Sequence, residues 1–283
     1  MHDMQATEYP KPGKLVRLER AAAVNDQTVD EAYEFAGVTY DFYRQVFSRN
    51  SLDDLGYPLT ASVRFGPGVA NALWDGNQVL FGDGDGQYFL PFTRSLAIVA
   101  HEFTHGVVAF TSGLAYQGES GALNESFCDV MSAQIVQWRD GATVETADWT
   151  IGREIIGPKL AVQGIRSFTD QPAYSGDSVL GDDPQPKHIR DYVITTDDYG
   201  GVHINSGIPN HAFYRAAMAL GGQSWLKAGR IWYDGFRKLS SQATFKDAAT
   251  ATVLAARASY GAGSPELAAV EDAWKAVGVA PEV

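Results

Sequence analysis

The chain has 283 residues, is 45% apolar and 20% charged, holds one cysteine and carries a net charge of −12. Those figures exclude a disordered or fibrous chain, a disulfide framework and a thiolate-rich zinc ribbon. The acidic balance argues against nucleic acid or an anionic membrane as partner, no run approaches the roughly 20 apolar residues of a membrane span, and at roughly 150 residues per domain the length predicts about two domains.

Residues 1–24 read as an extended, polar opening segment containing Pro10, Pro12 and Gly13, with neither the basic nor the hydrophobic stretch of a secretory signal. From Val29 the pattern turns helical: Ala32, Phe35, Ala36, Thr39, Phe42, Tyr43 and Val46 fall three and four apart on one apolar face. Residues 51–92 are rich in Gly, Asp and Pro and read as short strands, such as 61–65 and 78–81. The run Gly82-Asp83-Gly84-Asp85-Gly86 reads as a glycine-rich hairpin, because a calcium loop starting at Asp83 needs an acid where Arg94 stands. Helices are expected from Ser95 to about Phe110, from Asn124 to Trp138, over Pro209–Leu220 and over Phe245–Tyr260, with residues 140–200 irregular. The expected fold is α+β: a strand-rich N-terminal domain over 1–94, a central helix over 95–111 and a mainly helical C-terminal domain over 112–283.

The central helix carries His101-Glu102-Phe103-Thr104-His105. Residues four apart share a helix face, so both imidazoles can reach one metal ion. Glu102 is turned about 100° away and can instead reach a water on that ion, the pattern of zinc with a carboxylate base. A catalytic zinc takes three protein ligands and keeps one position open. Glu125 follows across a turn containing Gly113, and Asp129 lies four residues beyond it on the same face. A metal-bound imidazole usually gives its second N–H to a carboxylate, a role open to Asp129 toward His101. The plainer reading makes Glu125 and Asp129 ordinary helix acids, and makes Cys128, between them, a buried and inert thiol.

His-Glu-x-x-His, then Gly121-Ala122-Leu123-Asn124-Glu125-Ser126-x-x-Asp129, then Gly200-Gly201-Val202-His203-Ile204-Asn205-Ser206-Gly207, resembles the thermolysin family of zinc metalloendopeptidases, nearly collinearly from Val29 to the C-terminus. The resemblance implies His101, His105 and Glu125 as zinc ligands, with Asp129 and Asn124 supporting them. It implies that Glu102 activates the zinc-bound water, that His203 and Tyr116 stabilise the oxyanion and that Asp198 orients His203. His203, after two glycines, is expected on a turn or strand end. Asn71, the Ala72 carbonyl and Arg166 match groups that hold the substrate backbone, while Phe89, Phe92, Ile98, Ile151, Ile155 and Ile165 match an apolar pocket. Such an enzyme cleaves internal peptide bonds before hydrophobic residues.

Where the longer secreted members hold two calcium ions with acids, this chain has Ala97, Val136, Thr150, Arg153 and Gln163, and only Asp148 remains. No double-calcium site is expected, since calcium needs six to eight oxygen ligands, and Arg153 is expected to supply an internal positive charge. The short N-terminal part resembles the compact protealysin-like branch, which implies a propeptide, with a proteinaceous inhibitor as a further partner. Nothing in the sequence demands more than a monomer. The family favours an extracellular location, whereas the missing signal leaves cytoplasmic storage open. Two rival functions stand beside the endopeptidase: a non-catalytic, zinc-stabilised peptide-binding module, and a zinc aminopeptidase.

Overall fold

A computed structural model of the chain describes residues 1–282. It divides into two compact units. The first comprises Met1–Val107 with Thr150–Arg166 and Ala173–Asp182; the second comprises Val108–Trp149, Ser167–Pro172 and the chain from Asp183 onward.

The opening segment, expected to be merely extended, supplies two strands to the first unit: β1 (His2–Thr7) and β2 (Lys14–Leu15). With β3 (Ala61–Phe65), β4 (Ala72–Trp74) and β5 (Val79–Phe81) they form one sheet in the order β2-β1-β3-β5-β4. β3 runs parallel to both of its neighbours, and the outer pairs are antiparallel. The polar look of β1 reflects its burial, because only Met4 faces fully inward. Helix α1 (Gln27–Phe47) starts two residues before Val29, where the Asp26 carboxylate accepts the Val29 N–H. Val29 and Ala32 on its inner face pack against Val63 of β3.

The glycine-rich run after β5 folds back on itself: Gly86 N–H donates to the Phe89 carbonyl and Phe92 N–H to that of Gly82, and Asp85 caps the turn by accepting three successive backbone N–H groups, from Gln87, Tyr88 and Phe89. Gly82 and Gly84 lie flat against neighbouring backbone: an added Cβ would stand 2.0 Å from the Val69 carbonyl oxygen and 2.3 Å from that of Phe89, respectively. Helix α2 (Leu96–Ala109) is buried along Leu96–Thr104 on every face, as expected of a core helix. Residues 150–166, which sequence order groups with the C-terminal half, pack into this unit by backbone pairing. Leu90 N–H donates to Ile155, and Gly157 and Lys159 N–H donate to Tyr88 and Gln87.

The second unit is built on α3 (Gly118–Asp140), which begins six residues earlier than the sequence reading placed it. Gly118 and Gly121 disguised its first turns. Gly121 is required by packing, since a Cβ there would lie 2.4 Å from Val202 Cγ1. Around α3 stand α4 (Asp198–Asn205), α5 (Gly207–Leu220), α6 (Ala228–Phe236) and α7 (Phe245–Tyr260), with α8 (Pro265–Ala276) against α5 and α7. Helix α7 has a complete capping box, Thr244 with Asp247. The Trp232 and Trp274 rings stack nearly parallel at 5.9 Å, and Trp274 Nε1 donates to Thr252. The two-residue strands β6 (Thr150–Ile151) and β7 (Arg166–Ser167) make a small separate sheet within the stretch expected to be irregular.

Gly82→Ala tests the close backbone approach. It is expected to destabilise the protein by about 3 kcal/mol, because the obstacle is backbone and not a flexible side chain, and urea unfolding measures it.

Candidate metal centre

In the first unit α2 delivers His101, Glu102 and His105. His101 and Glu102 are buried and His105 is half-buried. The two imidazole Nε2 atoms converge to 3.1 Å with the rings nearly perpendicular. Two nitrogens bound to one zinc at about 2.05 Å with a tetrahedral angle lie about 3.3 Å apart. The pair therefore fits zinc, as two neutral imidazoles presenting the same ring nitrogen. The ring positions follow from local packing: Gly106, beside His105, has no room for a Cβ against Leu52 at 2.7 Å, and Thr104 links Tyr43 at 2.9 Å to the Ala100 carbonyl.

The expected substrate-holding residues of this unit differ in exposure. Asn71 is exposed, and its carbonyl accepts the Gly82 N–H. Ala72 pairs with Phe81 across β4 and β5, and Arg166 is half-buried at the start of β7. Phe92, Ile98, Ile151 and Ile155 are buried, whereas Phe89 and Ile165 remain half-accessible. Phe89 and Phe92 are neighbours, with ring centroids 6.1 Å apart. Arg153, expected to be an internal charge, is instead exposed. It sits in a short 3-10 turn that faces water, where a guanidinium keeps its hydration.

In the second unit the Glu125 carboxylate is 1% exposed on α3. The Tyr116 hydroxyl donates to its Oε1, and His203 Nε2 lies 3.4 Å from the same oxygen and 3.1 Å from the Tyr116 hydroxyl. The other ring nitrogen of His203, Nδ1, is 2.6 Å from Asp198 Oδ1, while Asp198 Oδ2 accepts the His203 backbone N–H. One carboxylate thus holds both the backbone and the ring of His203 and fixes the orientation of the imidazole. His203 was expected on a turn or strand end and is found in α4. The glycines before it do form a turn, but the chain then closes into helix around Val202–Asn205.

That turn is unusual. Asp198, Tyr199, Gly200 and Gly201 all adopt left-handed φ, at 51°, 51°, 85° and 77°. For a residue with a Cβ this costs roughly 1–2 kcal/mol. Gly200 and Gly201 have no room for a Cβ, which would lie 2.9 Å from Gln117 Nε2 and 2.8 Å from Asn205 Nδ2. Asp198 holds its strained conformation through its two bonds to His203. Tyr199, which the sequence reading did not single out, is exposed, and its ring meets that of Tyr116 edge-on at 5.4 Å.

Behind Glu125, Asp129 is fully buried and accepts from Asn210 Nδ2 at 2.9 Å. Asn210, another residue the sequence did not mark, lies on α5 and is visible only through the fold. Asn124 donates to the Leu114 carbonyl and accepts a weak thiol contact from the buried Cys128. Lys187 reaches into the same region and donates to the Ser167 carbonyl; burial pulls its pKa below the usual lysine value, against the attraction of Asp183, Asp129 and Asp170. His211 is buried on α5, with Nδ1 2.8 Å from the Phe168 carbonyl and Nε2 3.3 Å from Asp170.

Comparison with known proteins agrees with this geometry. Residues 2–109 match the family model for the thermolysin metallopeptidase catalytic domain, and residues 112–279 match that for the thermolysin metallopeptidase alpha-helical domain. An extracellular metalloprotease of Pectobacterium carotovorum subsp. carotovorum is 47% identical over 99% of this chain and 80% of its own length. Protease PrtS of a Photorhabdus species is 43% identical over 96% of this chain and 74% of its own. The solved precursor of protealysin, a metalloproteinase from Serratia proteamaculans, superposes with a TM-score of 0.94 at 46% identity, covering 99% of this chain and 86% of that one.

Burial holds the His211 pKa below its ordinary value of 6.5, outweighing the Phe168 carbonyl and Asp170. A histidine kept neutral in the fold contributes stability that is complete above about pH 6.5 and is lost as pH falls through the lower folded value. His211→Asn, which keeps a donor for Phe168, is expected to flatten the decline between about pH 7 and pH 5 relative to wild type, read from urea midpoints across that range.

Proposed function

Because the chain belongs to the thermolysin metallopeptidase family and is a zinc metalloendopeptidase of it, we propose that His101, His105 and Glu125 hold one catalytic zinc and that Glu102 is the general base. The observation that carries this reading is the convergence of the two Nε2 atoms on α2 to a separation fitting one ion. Zinc, when bound, supplies Lewis acidity, bringing the pKa of water down to about 7 and polarising a peptide carbonyl.

The protein groups do the rest. Glu102, turned off the imidazole face, takes the proton of the attacking water and delivers it to the departing amine nitrogen. His203 and Tyr116 donate to the oxygen that becomes negative when the peptide carbonyl turns tetrahedral. Their mutual contact at 3.1 Å supports a joint role, and Asp198 keeps His203 aimed. Asp129, buried behind Glu125, is the carboxylate we assign to the spare N–H of a metal-bound His101, and Asn124 steadies the start of α3 through the Leu114 carbonyl. Asn71, the Ala72 carbonyl and Arg166 hold the peptide backbone. Phe89 and Ile165, half-accessible above the buried Phe92, Ile98, Ile151 and Ile155, receive the hydrophobic side chain on the amine side of the cleaved bond.

No calcium pair is proposed at the positions of Ala97, Val136, Thr150, Arg153 and Gln163, because the lone carboxylate there, Asp148, is exposed. The similar proteins, an extracellular metalloprotease and a protealysin precursor, support an extracellular enzyme made with a propeptide, and its peptide and protein substrates follow from the activity. Among the described residues no helix is long and apolar enough to cross a membrane.

Hydrolysis of an N-terminally blocked peptide with an internal hydrophobic residue tests the reading. Cleavage should stop with a chelator and return with zinc. Glu102→Gln should lower kcat by about 10³-fold with zinc content unchanged, and His203→Ala should lower it by about 10²-fold. A folded, zinc-loaded wild type that cuts nothing would favour the peptide-binding module, and removal of single residues from unblocked peptides alone would favour the aminopeptidase.

A further inference from the structure

The left-handed turn before His203 places an aromatic ring where the sequence pattern gives no reason for one. Of its four residues, Gly200 and Gly201 are dictated by the lack of space for a Cβ, and Asp198 by its two hydrogen bonds with His203. Tyr199 meets neither condition. Its backbone is at φ 51° and ψ 37°, a conformation that glycine or asparagine adopts with less strain, and 63% of the residue is exposed, so burial does not repay it. The contact its ring makes is with Tyr116, edge-to-face at 5.4 Å and 68°.

Tyr116 needs such a neighbour. It is itself 37% exposed, and its hydroxyl must stay on Glu125 and His203 at once. A phenol at the surface has rotamer freedom, and a second ring against its flank removes part of it. We propose that Tyr199 is a positioning residue, whose strained backbone sets its ring against Tyr116 and so holds the phenol hydroxyl in the place where it donates to the reaction oxyanion. This rests on the proposed role of Tyr116. Tyr199 itself touches neither Glu125 nor His203 in this arrangement; it acts through Tyr116.

Strain gives the idea a signature that an ordinary packing residue lacks. Tyr199→Asn keeps the left-handed turn at lower cost and removes the ring. Its unfolding temperature should equal or exceed that of wild type, while kcat on the blocked peptide falls about tenfold and KM stays within about twofold. Tyr199→Phe preserves the ring and should restore kcat to within about twofold of wild type. Tyr199→Gly is the second ring-less variant, with the same kcat expected. In the background of Tyr116→Phe, which lacks the hydroxyl to be positioned, Tyr199→Asn should have little further effect on kcat.

A full additive loss in the double variant would overturn the inference, and so would a fall in unfolding temperature that parallels the fall in kcat. A change confined to KM would assign Tyr199 to direct substrate contact and overturn it likewise. If Tyr116→Phe alone leaves kcat unchanged, the oxyanion role of Tyr116 fails and the inference falls with it. If Tyr116→Phe lowers kcat and Tyr199→Asn does not, the inference fails and the proposed role of Tyr116 stands.

Discussion

The arrangement depends on one constraint: ionisable side chains are buried on helices that are otherwise core. His101 and Glu102 sit on a helix whose preceding turn is entirely apolar, and Glu125 and Asp129 sit on a helix buried over most of its length. A carboxylate deprived of water must be repaid by donors or by a cation. In the second unit the repayment is visible. Tyr116 and His203 converge on Glu125, and Asn210 donates to Asp129. The groups to which catalytic roles are assigned are therefore also the groups that make the burial of Glu125 tolerable. The proposed chemistry and the stability of this unit draw on the same donor groups.

The constraint explains why the turn before α4 is strained. His203 must present Nε2 toward Tyr116 and Glu125 while Nδ1 is occupied by a carboxylate five residues earlier in the chain. A right-handed helical approach would place residues five apart on different faces. Four left-handed residues instead fold the chain back, so that Asp198 reaches both the backbone N–H and the ring of His203. The two glycines absorb the part of the turn with no room for a Cβ, and the remaining strain is borne by Asp198 and Tyr199.

The helix that carries His101 and His105 was legible in the sequence because its pattern is local: the two imidazoles need only helical spacing to converge. Strand β3 and helix α7 were equally plain from their apolar patterns. The start of α3 was hidden by Gly118 and Gly121, which read as turn residues until Val202 is seen filling the space beside Gly121. β1 was hidden because a strand with a single fully inward residue, Met4, has no alternation to display. Tyr199 and Asn210 carry no local signal. Their partners, Tyr116 and Asp129, lie 83 and 81 residues away in the chain, and no periodicity links residues at such distances. The resemblance carried the roles of Tyr116, Asp198 and Arg166, which spacing alone leaves as a packing phenol, a turn acid and a strand cation.

The buried Asp129 of the second unit calls for a counter-charge. Lys187 supplies one. Its ammonium lies among Asp129, Asp170 and Asp183 and donates to the Ser167 carbonyl. Burial opposes its charge and the three carboxylates support it, so the cation and the acids stabilise one another's ionised forms. A lysine suits this task because its three donors sit on a flexible stem, reaching a backbone carbonyl while remaining a point charge.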